Sequence, residues 1–306
     1  MMIGLAITQL LNGFQFGVFL FLLSAGLTLV LGIMNFVNLA HGSFYMLGAY
    51  FAATLFERTG SLLLAALVAI PVTLVIAMVL ERLVLSRLYQ RAHLDQVLAT
   101  YGLILFLNEL VRVIWGQAPL FIGVPQALSG AVDLFGVAYP AYRFLIIGVG
   151  LLVALALYLT IQKTRIGMLI RAGASDATMV SALGVNIGRI NALVFGIGAA
   201  LAGLAGILAA PILSVQPGMG ESILILALVV LVTGGIGSIR GAFYAALVVG
   251  VVDTLGRAYL PSLFNLFLSR NAAQAAGPAV ASMLIYLLMA VVLAVRPQGL
   301  FPVRHG

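Results

Sequence analysis

The chain has no cysteine, a single lysine and one tryptophan in 306 residues, and only 8% of those residues are charged. Without cysteine there is neither a disulfide nor a thiolate metal site, and nothing is learned about the compartment. The lone lysine, Lys163, follows Gln162 rather than glycine. The Gly-Lys-Ser/Thr core of a phosphate-binding loop is therefore missing, and the chain cannot hydrolyse ATP by that route. No cluster of His, Asp and Glu has metal-ligand spacing and no nucleophile stands beside a plausible base, so no metal site and no catalytic residue is expected. Formal charge is also missing from Met1 to Phe56. The N-terminus, lacking a basic leading region, reads as a retained first span instead of a cleaved signal peptide. The alternating polar and apolar runs that an outer-membrane barrel needs do not occur.

Hydrophobic residues dominate instead, at 63% of the chain, with a mean hydropathy of +1.22. A soluble fold of this length cannot hide so much apolar surface. The expectation is an all-α, polytopic integral membrane bundle forming one transmembrane domain over residues 1–306, with no room for a soluble domain. Apolar runs at 5–33, 44–55, 61–80, 97–115, 141–161, 190–213, 222–233, 242–260 and 280–295 predict nine crossings, each span needing roughly 20 residues. Eight or ten follow if interrupted spans fail to reach the surface.

The pI of about 10.1 reflects basic residues in short loops, which act as orientation signals and not as a nucleic-acid patch. Arg82, Arg87, Arg91, Lys163, Arg165, Arg171, Arg189, Arg240, Arg296 and Arg304 fall on one side of the predicted bundle. Arg58, Arg112, Arg143, Arg257 and Arg270 fall on the other. This bias orients the N-terminus outside and the C-terminus in the cytoplasm. Small residues mark close helix contacts: Gly13 and Gly17, and the four-spaced Gly198, Ala202, Gly206 and Ala210. Glu109 with Arg112, and Asp253 with Arg257, are spaced to pair on one helix face.

Two polar breaks interrupt the apolar runs. Residues 35–43, NFVNLAHGS, hold Asn35, Asn38, His41 and Ser43; residues 234–241, GGIGSIRG, hold Gly234, Gly235, Gly237 and Ser238. Non-helical backbone at membrane depth is tolerated only where protein or a wet cavity satisfies it. The breaks therefore predict two discontinuous helices, and these eight residues are the candidate translocation pathway. The alternative is that their polar groups bond only one another or nearby backbone. The stretches after the breaks, GSFYMLGAYFAATL and GAFYAALVVGVVDTL, are weakly alike, as two structural halves around a site would be.

The longest polar interruption is 162–189. Within it Ser175 or Asp176 can cap a short helix, with Met179, Val180 and Leu183 on one face and Gly184 at a left-handed exit. So short a helix is unstable alone. Either a partner holds it, or it is a solvated loop joining two spans.

Taken together, NFVNLAHGSFYMLGAY, IGMLIRAGASDATMVSALGVNIGRINAL, FGIGAALAGLAGILAAP, GGIGSIRGA and VLAVRPQGLF resemble the LivH-type permease subunits of branched-chain amino acid ABC importers, over residues 5–301. The resemblance implies a multi-pass permease of the bacterial inner membrane that binds no cofactor itself. Its implied partners are a LivM-like second permease, two cytoplasmic ATPase subunits using ATP and magnesium, and a periplasmic solute-binding protein. It further implies that the stretch 162–189 couples to the ATPase through Asp176, Ala177, Ala182 and Gly184, with Ser175 as the cap and Leu183 beside them. Related loops commonly read acidic-Ala-Ala after the aspartate, whereas this one reads Ala177-Thr178-Met179. The implied mechanism is alternating access, with an amino acid as the solute, or an amide, urea or aromatic acid. Competing readings are a stand-alone secondary transporter built on Asp253 and an intramembrane enzyme built on His41 and Ser43.

Overall fold

In the computed structural model, which describes residues 2–134 and 136–301, the chain is a helical bundle with one small hairpin. Arg304 lies outside the described residues. The first half comprises α1 (Met2–Met34), α2 (His41–Thr59), α3 (Leu62–Leu83), a 3-10 turn (Leu85–Leu88), α4 (His93–Trp115) and the strands β1 (Ala131–Leu134) and β2 (Val137–Pro140). The second half comprises α5 (Ala141–Lys163), α6 (Arg165–Ser175), α7 (Ala177–Ala182), α8 (Ile187–Ala209), α9 (Met219–Gly234), α10 (Ile239–Phe264) and α11 (Arg270–Val295).

Helix starts follow capping chemistry. Ser61, Thr164, Asp176, Asn186 and Ser238 each accept a hydrogen bond from a backbone N–H in the first turn of α3, α6, α7, α8 and α10, which satisfies donors a helix leaves free. Within the segment 116–140, which has no lysine or arginine, Ala131–Leu134 and Val137–Pro140 pair as the antiparallel β1–β2 hairpin. Asp133 Oδ1 accepts from Gly136 N at 2.8 Å across the turn, and the buried Tyr139 donates its hydroxyl to Asn12 Oδ1 at 3.1 Å.

Among the described residues seven helices, not nine, are long and apolar enough to cross a membrane: α1, α3, α4, α5, α8, α10 and α11. The two remaining runs form shorter helices beside the breaks. With 16 residues, α9 spans about 24 Å, less than a hydrocarbon core of roughly 30 Å. α2 begins deep in the bundle, where His41 reaches the carbonyl of Leu23 in the middle of α1.

The buried centre consists of α1, α8 and the first half of α2. Small residues set how close the neighbours come, as their spacing predicts. A Cβ on Gly13 or Gly17 would lie 2.8 Å from the backbone of α10, and one on Gly206 would run into Tyr45 O of α2. Gly4 packs against Val137 of the hairpin, and Gln298 against Gly235 of the second break.

Candidate functional site: two helix breaks, a cavity and an exposed helix

The first break starts at Asn35, whose φ of +47° turns the chain out of α1. Residues 36–39 are not helical, and side chains of α4 take over the hydrogen bonding: Val37 N donates to Gln96 Oε1 at 3.4 Å and Leu39 N to Thr100 Oγ1 at 3.3 Å. Phe36 packs edge-on against Tyr89, 5.3 Å between centroids. Burial, and then the hydrogen bond to Glu81, push the Tyr89 phenol above its ordinary pKa, so it remains a donor. Asn38 Oδ1 accepts from Ala40 N at 3.0 Å, and α2 begins.

The second break follows Gly234. Gly235 and Gly237 adopt φ of +106° and +81°, and Ser238 Oγ accepts from Gly241 N at 3.0 Å to start α10. The C-terminal segment completes this turn, because Leu300 N donates to Thr233 O at 2.9 Å and Phe301 N to Gly234 O at 3.0 Å. Those are carbonyls that the end of α9 would otherwise leave free. The motif RPQGLF thus acts as a strap across the break.

The breaks meet. Gly32, at the end of α1, lies against Gly237, and Asn35, Gly237 and Ser238 line one cavity of about 710 Å³ with residues of α5, α6 and α10. The other candidate pathway residues are placed elsewhere. Asn38, His41, Ser43, Gly234 and Gly235 are buried and do not line the cavity. The glycines that open α2 and α10 both press on α9: Gly42 against Gly220 at its start, Gly241 against Gly234 at its end. This gives the weak likeness of the two stretches a structural counterpart.

The polar stretch 162–189 is mostly helical and not a loop, for α6 occupies 165–175. Thr164 Oγ1 accepts from Gly167 N at 3.1 Å to start it. Asp176 caps α7, its Oδ1 accepting from Met179 N at 2.8 Å. Ser175 does not cap; it is the last residue of α6 and lines the cavity. Nor do the three apolar residues of α7 share a face. Val180 is buried, while Met179 and Leu183 are 62% and 77% exposed. Ala177, Ala182 and Gly184 are exposed beside them, and Gly184 leaves the helix at φ +86°.

Sequence reasoning missed Gln96 and Thr100, although two polar side chains four apart in an apolar span were a signal. It also missed Glu221, which accepts from Asn108 Nδ2 at 2.6 Å.

A family model described as the branched-chain amino acid transport system permease component matches residues 9–293. The chain belongs to this permease family. LivH of Escherichia coli, named a high-affinity branched-chain amino acid transport system permease protein, is 33% identical over 272 residues, covering 84% of this chain and 88% of that protein. BraD of Pseudomonas aeruginosa, of the same description, is 35% identical over 263 residues, 81% and 85% of the two chains. A probable branched-chain amino acid transport permease of Methanocaldococcus jannaschii is 27% identical over 253 residues, 80% and 79%. No solved structure matches the chain. In this family member the matched span takes in both breaks, the cavity and α7.

Proposed function

We propose that this permease is the membrane subunit of an ABC importer in the bacterial inner membrane, with its N-terminus outside. It works with a second permease, two cytoplasmic ATPase subunits and a periplasmic solute-binding protein. The observation that carries this reading is the continuity from α7 to the breaks. α7 presents Met179 and Leu183 to a partner, its cap Asp176 directly follows Ser175, and α6 lines the same cavity as Asn35, Gly237 and Ser238. A displacement of α7 by ATP-driven closure of the motor subunits therefore reaches the cavity wall through one rigid helix.

The solute is a branched-chain or similar amino acid, supported by the names of the relatives; an amide, urea or aromatic acid is the alternative within the same importer type. A carrier working alone would need a free carboxylate within the membrane. Asp253 is instead held by Arg257 at 2.8 and 2.9 Å. Reconstitution tests the reading: proteoliposomes containing all subunits should accumulate leucine only with ATP on the motor side. Uphill uptake by this chain alone would sink it.

A further inference from the structure

The cavity has a chemistry that transport of a zwitterion does not explain. Arg171 of α6 and Arg240 of α10 line it, with Gln162, Asn35 and Ser238, and among the described residues none that lines it is acidic. A bound amino acid would find no carboxylate there for its ammonium group. Thr28, 1% exposed, also lines the cavity, and its hydroxyl has no hydrogen-bond partner. Both guanidinium groups are positioned by the protein yet retain N–H donors. Arg171 donates to the carbonyl of Ile161. Arg240 lies over the Tyr158 ring, 5.0 Å from its centroid, and donates to the Tyr158 hydroxyl at 2.9 Å.

The surface leading away from this basic cavity is apolar. On α10, Tyr244 and Val248 follow Arg240 at four-residue steps and are exposed. On α5, exposed Leu151 and Leu155 lead to Tyr158, four and three residues apart. Each set lies on one helical face. Two apolar stripes thus converge on a pair of arginines, the complement of a molecule with an anionic head and a hydrocarbon tail.

We propose that the cavity binds the head of an anionic phospholipid. Its phosphate oxygens accept from Arg171 and Arg240, and its acyl chains leave along the α5 and α10 stripes. A volume of about 710 Å³ holds a headgroup and glycerol but not the chains. Basic pockets between spans are a known way to hold such heads. Because α6, α10 and both breaks form the walls, an occupied site joins the helix that carries α7 to the start of α10.

The oxyanion bound here comes from either a lipid phosphate or a solute carboxylate, and native mass spectrometry separates the two. The full chain is stripped of lipid in detergent and then incubated with phosphatidylglycerol or phosphatidylethanolamine, with and without excess leucine. Phosphatidylglycerol should be retained in preference, and leucine should not displace it. Arg240→Gln and Arg171→Gln should each lower its occupancy about five-fold, whereas Arg240→Lys should keep most of it. Arg87→Gln, which removes an exposed arginine outside the cavity, should change nothing. Arg240→Gln decides alone if Arg171→Gln fails to fold, since Arg171 also holds the end of α5. Equal retention of the two lipids, an equal loss in Arg87→Gln, or displacement by leucine overturns the proposal.

Discussion

Gly32 and Gly237 touch backbone to backbone: a Cβ on Gly32 would fall 2.5 Å from the Cα of Gly237. This contact fastens the end of α1 to the second break. Two effects oppose each other in Gly32→Ala. Helix propensity favours the alanine by about 1 kcal/mol, while overpacking against atoms that cannot rotate away costs about 1–3 kcal/mol. Overpacking wins because the obstacle is backbone. Gly32→Ala should lower the melting temperature of the purified permease and reduce ATP-driven uptake, and a raised melting temperature would show that the contact is loose.

The non-helical residues 36–39 are held by two side chains of α4. Gln96 accepts from Val37 N and donates to the carbonyls of Leu88 and Arg91, both at 3.2 Å. Replacing it by leucine removes three part-buried hydrogen bonds, at up to about 1–3 kcal/mol for a group left dry. Thr100→Val removes the acceptor of Leu39 N and a donor to the Gln96 carbonyl, which keeps its helical partner, so it should cost less, and Thr100→Ser should restore both bonds. Hydrogen exchange reads this directly: the Val37 amide should lose protection in Gln96→Leu, and the Leu39 amide in Thr100→Val.

Much of this arrangement was legible in the sequence, for reasons that differ by element. The two breaks stood out because polar and glycine residues interrupt lipid-like runs, and the pairs Glu109–Arg112 and Asp253–Arg257 form as their spacing predicts. The short helix α7 with its glycine exit was likewise visible. What failed was geometry set by distant partners. The depth at which α2 starts depends on a bond between His41 and Leu23, eighteen residues apart, so the apolar run 44–55 became a helix of 19 residues that begins inside the bundle. Asn38, His41 and Ser43 looked like Asn35 in composition, yet only packing decides which of the four reaches the cavity. α6 was hidden because its amphipathic pattern is brief and its cap, Thr164, sits among basic residues that read as loop.

The exposed face of α7 makes a separable prediction. Leu183→Asp changes a side chain that touches solvent, so the bundle should melt as before while co-purification of the ATPase subunits falls. Gly184→Trp should act in the same way, through strain at φ +86° and through its bulk. Asp176→Ala removes a cap worth about 1 kcal/mol, a large share of the stability of a helix of six residues. Its effect should appear as weaker coupling of ATP hydrolysis to uptake. Normal co-purification in both Leu183→Asp and Gly184→Trp would remove α7 from the motor interface.

Asp253 and Arg257 distinguish a structural pair from a proton relay. Arg257 Nε donates to both carboxylate oxygens, and its other end donates to Ser282 Oγ at 2.9 Å, tying α10 to α11. Removing either charge alone leaves its partner uncompensated, which on insertion scales costs about 2.5–3.5 kcal/mol at the bilayer centre and less toward an interface. Removing both leaves no charge to compensate. Asp253→Ala should therefore destabilise the permease more than Asp253→Ala with Arg257→Ala, so the double-mutant cycle should show a coupling above 1 kcal/mol. A relay predicts the opposite ordering in function: the double variant would be as inactive as the single one, because the titrating carboxylate is gone from both. Melting curves and uptake assays on Asp253→Ala, Arg257→Ala and the double variant decide the matter: a structural pair predicts recovery of ATP-driven uptake and a partial recovery of stability, short of the parent because the Arg257–Ser282 link is lost as well.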